Sequence, residues 1–164
     1  MSLCNQISVE PVTATTNELR ALIGGLDREL GAEYPPEQRH GLTLDAIFQP
    51  HIRFFLARLD GAATGCGGVA LFSDFAEVKR MYVRDEARGR GVAQALLARI
   101  EGQARSAGLS SLCLETGDRQ AAALRFYACA GFRRRSPFGA YAAMAPHSIA
   151  ASVFLEKRLA VNAD

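Results

Sequence analysis

No stretch of this chain approaches the ~18 consecutive apolar residues that a membrane span requires. Its opening Met-Ser-Leu-Cys-Asn-Gln also lacks the charged and apolar regions of a secretion signal. A cytoplasmic protein without membrane contact is the expectation. Charge of one sign is lacking too: 19 Lys and Arg stand against 17 Asp and Glu, a net charge of +2. Chains that live on nucleic acid usually carry a strong basic excess, so nucleic acid is not an expected partner. Cys4, Cys66, Cys113 and Cys129 lie far apart and form no Cys-x-x-Cys, which argues against a zinc site and against a disulfide framework. His40, His51 and His147 have no ligand spacing either, and no metal is expected. Internal repeats, low-complexity tracts and linkers are missing. With 49% hydrophobic and 22% charged residues over 164 positions, the chain is expected to form one domain, residues 1–164, with a substantial core.

What is present is a succession of short periodic patterns. Residues 7–12 alternate as a first strand, and Thr15-x-x-Glu18 reads as a capping box opening a helix to about Leu30, with Gly31 as its stop. After Pro35-Pro36, a second short helix is expected over about residues 37–48. Residues 52–59 and 64–72 form a hairpin across Asp60-Gly61, and residues 77–83 add a third strand of a meander. A helix opens near Gly91 with Val92, Leu96, Leu97 and Ile100 about one turn apart, and Gly108 stops it. A strand over residues 111–115, a helix over 121–130 and strands over 132–135 and 152–159 complete the order. The long connection over residues 136–151 is of a length that more often forms a functional wall than an idle loop.

The segment from Val78 to Leu96 reads as strand, glycine-arginine turn and helix start. At Arg88-Gly-Arg-Gly-Val-Ala93 small residues let successive N–H groups point into one concavity, and the helix that follows adds its positive end. A phosphate or pyrophosphate suits such a turn, although a tight turn with exposed arginines would carry the same letters. A dinucleotide fold would want a third glycine after the first strand. A nucleoside triphosphatase loop would want Gly-Lys-Ser or Gly-Lys-Thr. Neither is present.

Joined with the distant Ala123-Leu-Arg-Phe-Tyr-Ala-Cys-Ala-Gly-Phe132, this turn closely resembles the GNAT superfamily of acetyl-CoA-dependent N-acetyltransferases. The resemblance is strong over residues 59–132. Arg88-x-x-Gly91-x-Ala93 satisfies one family motif, and Phe126-Tyr127-x-x-x-Gly131-Phe132 nearly matches another. It implies an α/β (α+β) fold with a mixed, mostly antiparallel sheet of about six or seven strands flanked by helices. It also implies a bulge in the strand from Glu77 to Val83, and the poor alternation of Val78, Met81 and Val83 fits an inserted residue. The implied cofactor is acetyl-CoA, leaving as CoA. Its pyrophosphate would lie on the amides of Gly89, Arg90, Gly91, Val92 and Ala93, with Arg88 and neighbouring arginines in support. Backbone groups of Met81, Tyr82 and Val83 would hold the pantetheine arm. Gln120 stands where many relatives carry Asn, keeping an amide at that cofactor contact.

Acetyl transfer to an amine needs a neutral nucleophile, a polarised carbonyl and a protonated leaving thiolate. An amine of pKa ~10.4 is neutral in only ~0.04% of molecules at pH 7, so a carboxylate base helps. Glu77 is the first candidate and Glu115, at the end of the neighbouring strand, the alternative. The resemblance places the hydroxyl of Tyr127 near the CoA sulfur as proton donor. Pro137, Phe138 and Tyr141 are candidates to wall the acceptor site, as large apolar bodies with a polar tip. Arg80 and the run Arg133-Arg134-Arg135 hint at an anionic group on the acceptor. The expected reaction is direct attack in a ternary complex by a small-molecule or peptide amine. The rival reading is a CoA or acyl-CoA sensor without turnover. The resemblance is also compatible with a homodimer.

Overall fold

A computed structural model describes residues 4–161. The strands are β1 (Ile7–Pro11), β2 (Ile52–Leu59), β3 (Ala62–Leu71), β4 (Ala76–Val83), β5 (Ser111–Gly117), β6 (Arg133–Arg134) and β7 (Ser152–Arg158). The helices are α1 (Asn17–Glu33), α2 (Val92–Ser106) and α3 (Ala121–Cys129). All seven strands share one sheet in the order β1-β2-β3-β4-β5-β7-β6. Only β4 and β5 pair in parallel, and the other neighbours run antiparallel. The mixed, mostly antiparallel sheet expected from the sequence is therefore the one observed. Among the described residues no helix is long and apolar enough to cross a membrane.

Strand alternation divides the core between the faces of the sheet. On one face Phe54, Leu56 and Cys66 pack against Leu19, Leu22 and Ile23 of α1. On the other, Phe55, Ala57 and Val69 meet Val92, Leu96, Leu97 and Ile100 of α2, with Tyr127 of α3 beside them. Leu19, Leu22, Leu96 and Ile100 are fully buried, each contributing roughly 1.5–3 kcal/mol relative to exposure. The β2–β3 hairpin turns on Asp60 and Gly61, both at positive φ (51° and 87°). That is the backbone a two-residue turn needs to match the twist of its strands.

The most consequential irregularity is in β4. Cys66 pairs with Tyr82 and Gly68 with Lys79, so β4 carries one more residue than β3 over that interval. The extra residue lies at Arg80, whose φ is +54°. Because side chains alternate, the insertion exchanges the faces. Val78, Met81 and Val83 all reach the α2 side, whereas Tyr82 packs on the α1 side. The broken alternation in the sequence thus has a bulge as its cause. Beyond it β4 leaves β5: the two strands pair only at Ala76–Leu112 and Glu77–Cys113, then splay.

Several local expectations are corrected. Helix α1 is capped by Thr16, not Thr15: its Oγ1 accepts a bond from the amide of Leu19 at 3.1 Å. Glu18 is therefore one position short of closing a capping box, and instead it receives Arg58 at 2.8 Å. Gly31 does not stop the helix, which runs to Glu33 and ends as Tyr34 turns extended (φ −133°, ψ 139°), the conformation that a following proline favours. No helix forms over residues 37–48. Two single 3₁₀ turns, Pro36–Gln38 and Ala46–Phe48, flank an irregular segment. Gly41 weakens a helix there by ~1 kcal/mol, and only Ile47 in the stretch is deeply buried, so no apolar stripe offsets that cost. The loop over residues 136–151 holds two further short turns, Gly139–Ala143 and Pro146–Ser148.

Candidate active site

The splay of β4 from β5 opens two cavities that meet in the middle. The first, of about 1080 Å³ including its open mouth, is lined by Met81, Tyr82, Val83, Arg88, Gly89, Gly91, Val92 and Ala93 from β4 and the turn before α2. Gln120, Ala123, Phe126 and Tyr127 close it from the α3 side. Gly89 and Gly91 have φ of +75° and +92°, which side-chain-bearing residues adopt only with strain. Gly91 is the N-cap of α2 and has no side chain to accept from the helix amides. The first-turn N–H groups of α2 are left free to meet an anion. The arginines of the turn are engaged elsewhere. Arg88 donates to the carbonyl of Val83 at 3.0 Å and to Glu29 at 3.0 Å, and pairs with Asp85 at 2.8 Å. Arg90 turns away to Asn5 at 2.6 Å and does not line the cavity. What the turn presents to its cavity without a partner is its backbone amides.

The second cavity, of about 830 Å³ including its mouth, brings together Glu77, Lys79 and Arg80 of β4, Glu115 of β5, Arg39 and His40 of the irregular segment, and Tyr141 of the long loop. Met81, Gln120, Ala123 and Tyr127 line both cavities. Tyr127 is 6% exposed and stacks edge-on against Phe126 and Phe132 at 5.2 and 5.3 Å. Burial pushes its phenol well above the ordinary value, so it holds its proton at neutral pH.

The two candidate carboxylates differ in environment. Glu77 is 4% exposed and already committed: its Oε2 accepts from the Tyr141 hydroxyl at 2.8 Å and lies 2.8 Å from Lys79 Nζ. Glu115 is pushed up to about 7, chiefly by burial and further by the negative charge of Glu77, against the opposing pull of Lys79 and a hydrogen bond from Ser152. One acid is held as an ion pair and the other is poised to exchange a proton near neutrality. Tyr141 is raised by burial first and by Glu77 second, and it stays a donor to Glu77. Phe138 is buried and packs at 5.2 Å against Tyr141 and 5.8 Å against Phe154. It supports Tyr141 from behind, and neither it nor Pro137 lines either cavity. Arg133 and Arg134 lie on exposed β6, and Arg135 pairs with Glu156 at 3.5 Å, so that run stays outside the cavities.

Sequence reasoning missed Lys79, Arg39 and His40. Lys79 had a signal: two residues beyond Glu77 on one strand, it shares that residue's face. Arg39 and His40 had none, because their place depends on a bond from His40 Nε2 to the Ser148 carbonyl at 2.7 Å.

Comparison with known proteins decides which family builds such a pair of cavities. The model of the acetyltransferase (GNAT) family matches residues 20–132. The chain belongs to the GNAT family. An IAA acetyltransferase of Azospirillum brasilense is 46% identical over 140 residues, 84% of this chain and 88% of that protein. A solved structure of a candidate acyl-CoA N-acyltransferase from Klebsiella pneumoniae superposes with a TM-score of 0.74 at 30% identity, covering 94% of this chain and 99% of that one. A GNAT acetyltransferase of Elizabethkingia anophelis with acetyl-CoA bound shares the fold, with a TM-score of 0.66 at 20% identity over 93% and 98% of the two chains. As a GNAT protein the chain is an acyltransferase, with an acyl-CoA as donor.

Proposed function

We propose that this GNAT protein moves an acetyl group from acetyl-CoA to a primary amine by direct attack in a ternary complex. The observation that carries the proposal is the place of Glu115, which burial pushes up to about 7, in a cavity that joins the glycine-turn cavity at Tyr127. The residues of the first cavity suit the donor. Its uncapped α2 amides and open glycine turn fit a pyrophosphate, and the splayed β4 edge leaves the backbone of Met81, Tyr82 and Val83 free to pair with an amide-bearing arm. Bound there, acetyl-CoA supplies an activated thioester.

Glu115 accepts the proton of the incoming ammonium. A base with a value close to working pH combines availability with driving force. Glu77 acts through its neighbour: fixed by Lys79 and Tyr141, its charge helps keep Glu115 high. Tyr127, protonated and placed where the cavities meet, gives its proton to the departing thiolate as the C–S bond breaks, and is reprotonated by the proton that the acylated nitrogen gives up on becoming an amide. Backbone N–H groups along β4 polarise the carbonyl, a role that asks for no metal. The seven strands forming one sheet support reading residues 1–164 as a single domain.

The test is thiol release from acetyl-CoA against a panel of primary amines, with wild type beside Tyr127→Phe. Removing a general acid costs roughly 10²–10⁴ in rate. The variant should therefore lose kcat while its CoA dissociation constant stays within about threefold. Unchanged kcat with the best amine would remove Tyr127 from the reaction, and failure of the wild type to bind acetyl-CoA at millimolar concentration would refute the whole proposal.

A further inference from the structure

The charges around the second cavity do not cancel. Lys79 neutralises Glu77, and Arg80 reaches Asp27 of α1 through Nη2. Arg39 has no ion-pair or side-chain hydrogen-bond partner among the described residues, and its Nε is buried without an acceptor. The Nε of Arg80 is in the same condition, on a side chain only 5% exposed. Both side chains line one cavity, and in each the orphaned Nε is itself shut from solvent. Buried charged donors without partners are unfavourable and call for an anion or ordered water.

Their placement is built into the fold. The bulge in β4 turns Arg80 onto the α1 side, where its Nη1 lies so close to Gly41 that a Cβ at that position would collide with it. Arg39 packs over α1, with Nη1 3.4 Å from where a Cβ of Gly31 would stand. The segment bearing it is tied down by His40, through Ser148 and through an edge-on contact with Tyr141 at 5.7 Å. After the two neutralised pairs are set aside, one cation, Arg39, and one titrating acid, Glu115, remain. That is the complement of a zwitterion.

We infer that the acceptor is a small molecule bearing a carboxylate beside its primary amine, of the amino-acid class, with the carboxylate on the guanidinium of Arg39 and the amine toward Glu115. The inference rests on the acetyl transfer proposed above and names the substrate class of that same site. Guanidinium groups match carboxylates in shape and charge, and the fork of Arg39 is free to bind one with two parallel bonds.

The experiment compares three sets of acceptors in the same thiol-release assay: the standard amino acids, their carboxamides, and the matching decarboxylated amines. Each set is measured with wild type, Arg39→Gln and Arg39→Lys. The expected result is that wild type prefers an amino acid to its carboxamide by at least about tenfold in kcat/KM. Arg39→Gln should raise KM for that amino acid by about tenfold while leaving the acetyl-CoA KM and the carboxamide KM unchanged, and Arg39→Lys should recover part of the loss. Carboxamides or decarboxylated amines used as well as amino acids would overturn the inference, as would an equal effect of Arg39→Gln on both classes. Acetyl-CoA binding with no turnover of any amino acid also overturns it, and leaves the donor reading standing. If Arg39→Gln does not fold, the wild-type preference alone decides.

Discussion

Replacing Glu115 by Gln separates its raised proton affinity from its shape. In the folded protein burial pushes the carboxyl group up to about 7, against an ordinary value of 4.5. At ~1.36 kcal/mol per unit this difference corresponds to roughly 3 kcal/mol, and partial solvation of the group reduces it to about 1–3 kcal/mol. Because the folded value is the higher one, the stabilising contribution is complete below pH ~4.5, where both states are protonated. It is lost as pH rises through 7, because the unfolded chain gives up its proton first. The Gln variant carries no ionisable group there and has no such pH dependence. Urea denaturation of both proteins at pH 5 and pH 8.5 yields four free energies. The stability of Glu115→Gln relative to wild type should rise by about 1–3 kcal/mol between the two pH values. Any constant packing offset cancels in that double difference. In parallel, the rise of kcat/KM with pH centred near 7 should disappear in the variant. A relative stability that does not change with pH would show that Glu115 is not held neutral, and the assignment of the base would fall with it.

Two further perturbations report on other parts of the site. Lys79→Met removes the cation that pulls Glu115 down, so the pH–rate limb should move upward from its wild-type position. A limb that stays in place or moves down would contradict the electrostatic account. Gly91→Ala asks a residue with a Cβ to hold φ of +92°. The added methyl finds room, meeting Ile7 at an ordinary 3.4 Å, so the strain is in the backbone. A stability loss of roughly 1–2 kcal/mol is expected in chemical denaturation, together with weaker acetyl-CoA binding in calorimetry. Wild-type values for both would show that the turn does not need its left-handed residue.

How much of this was legible in the chain varies with how local the cause is. The β2–β3 hairpin followed from Asp60-Gly61, because positive φ at both central residues is what aspartate and glycine tolerate. The bulge was implied by the family resemblance, and the broken alternation of Val78, Met81 and Val83 agreed with it, since an inserted residue brings all three to one face. The cap of α1 was displaced by one residue because Thr15 and Thr16 are equally able to cap, and only the geometry at Leu19 chooses. Residues 37–48 carry the letters of a short helix, but Gly41 and the want of an apolar stripe leave them irregular where they line the second cavity. Arg39 and His40 were invisible because their anchor, Ser148, lies 108 residues away. Glu115 was named from its position at a strand end, but its advantage over Glu77 depends on Lys79 and Tyr141, which meet only in the folded sheet.

The inserted residue at Arg80 also constrains how this protein can change over generations. The same irregularity parts β4 from β5, where the donor arm is expected, and swings the Arg80 side chain into the neighbouring chamber. Deleting one residue there would restore regular pairing, send every later side chain of β4 to the opposite face and disturb both chambers at once. Shifts in acceptor choice are therefore expected to arise through point substitutions in the segment carrying Arg39 and the loop carrying Tyr141.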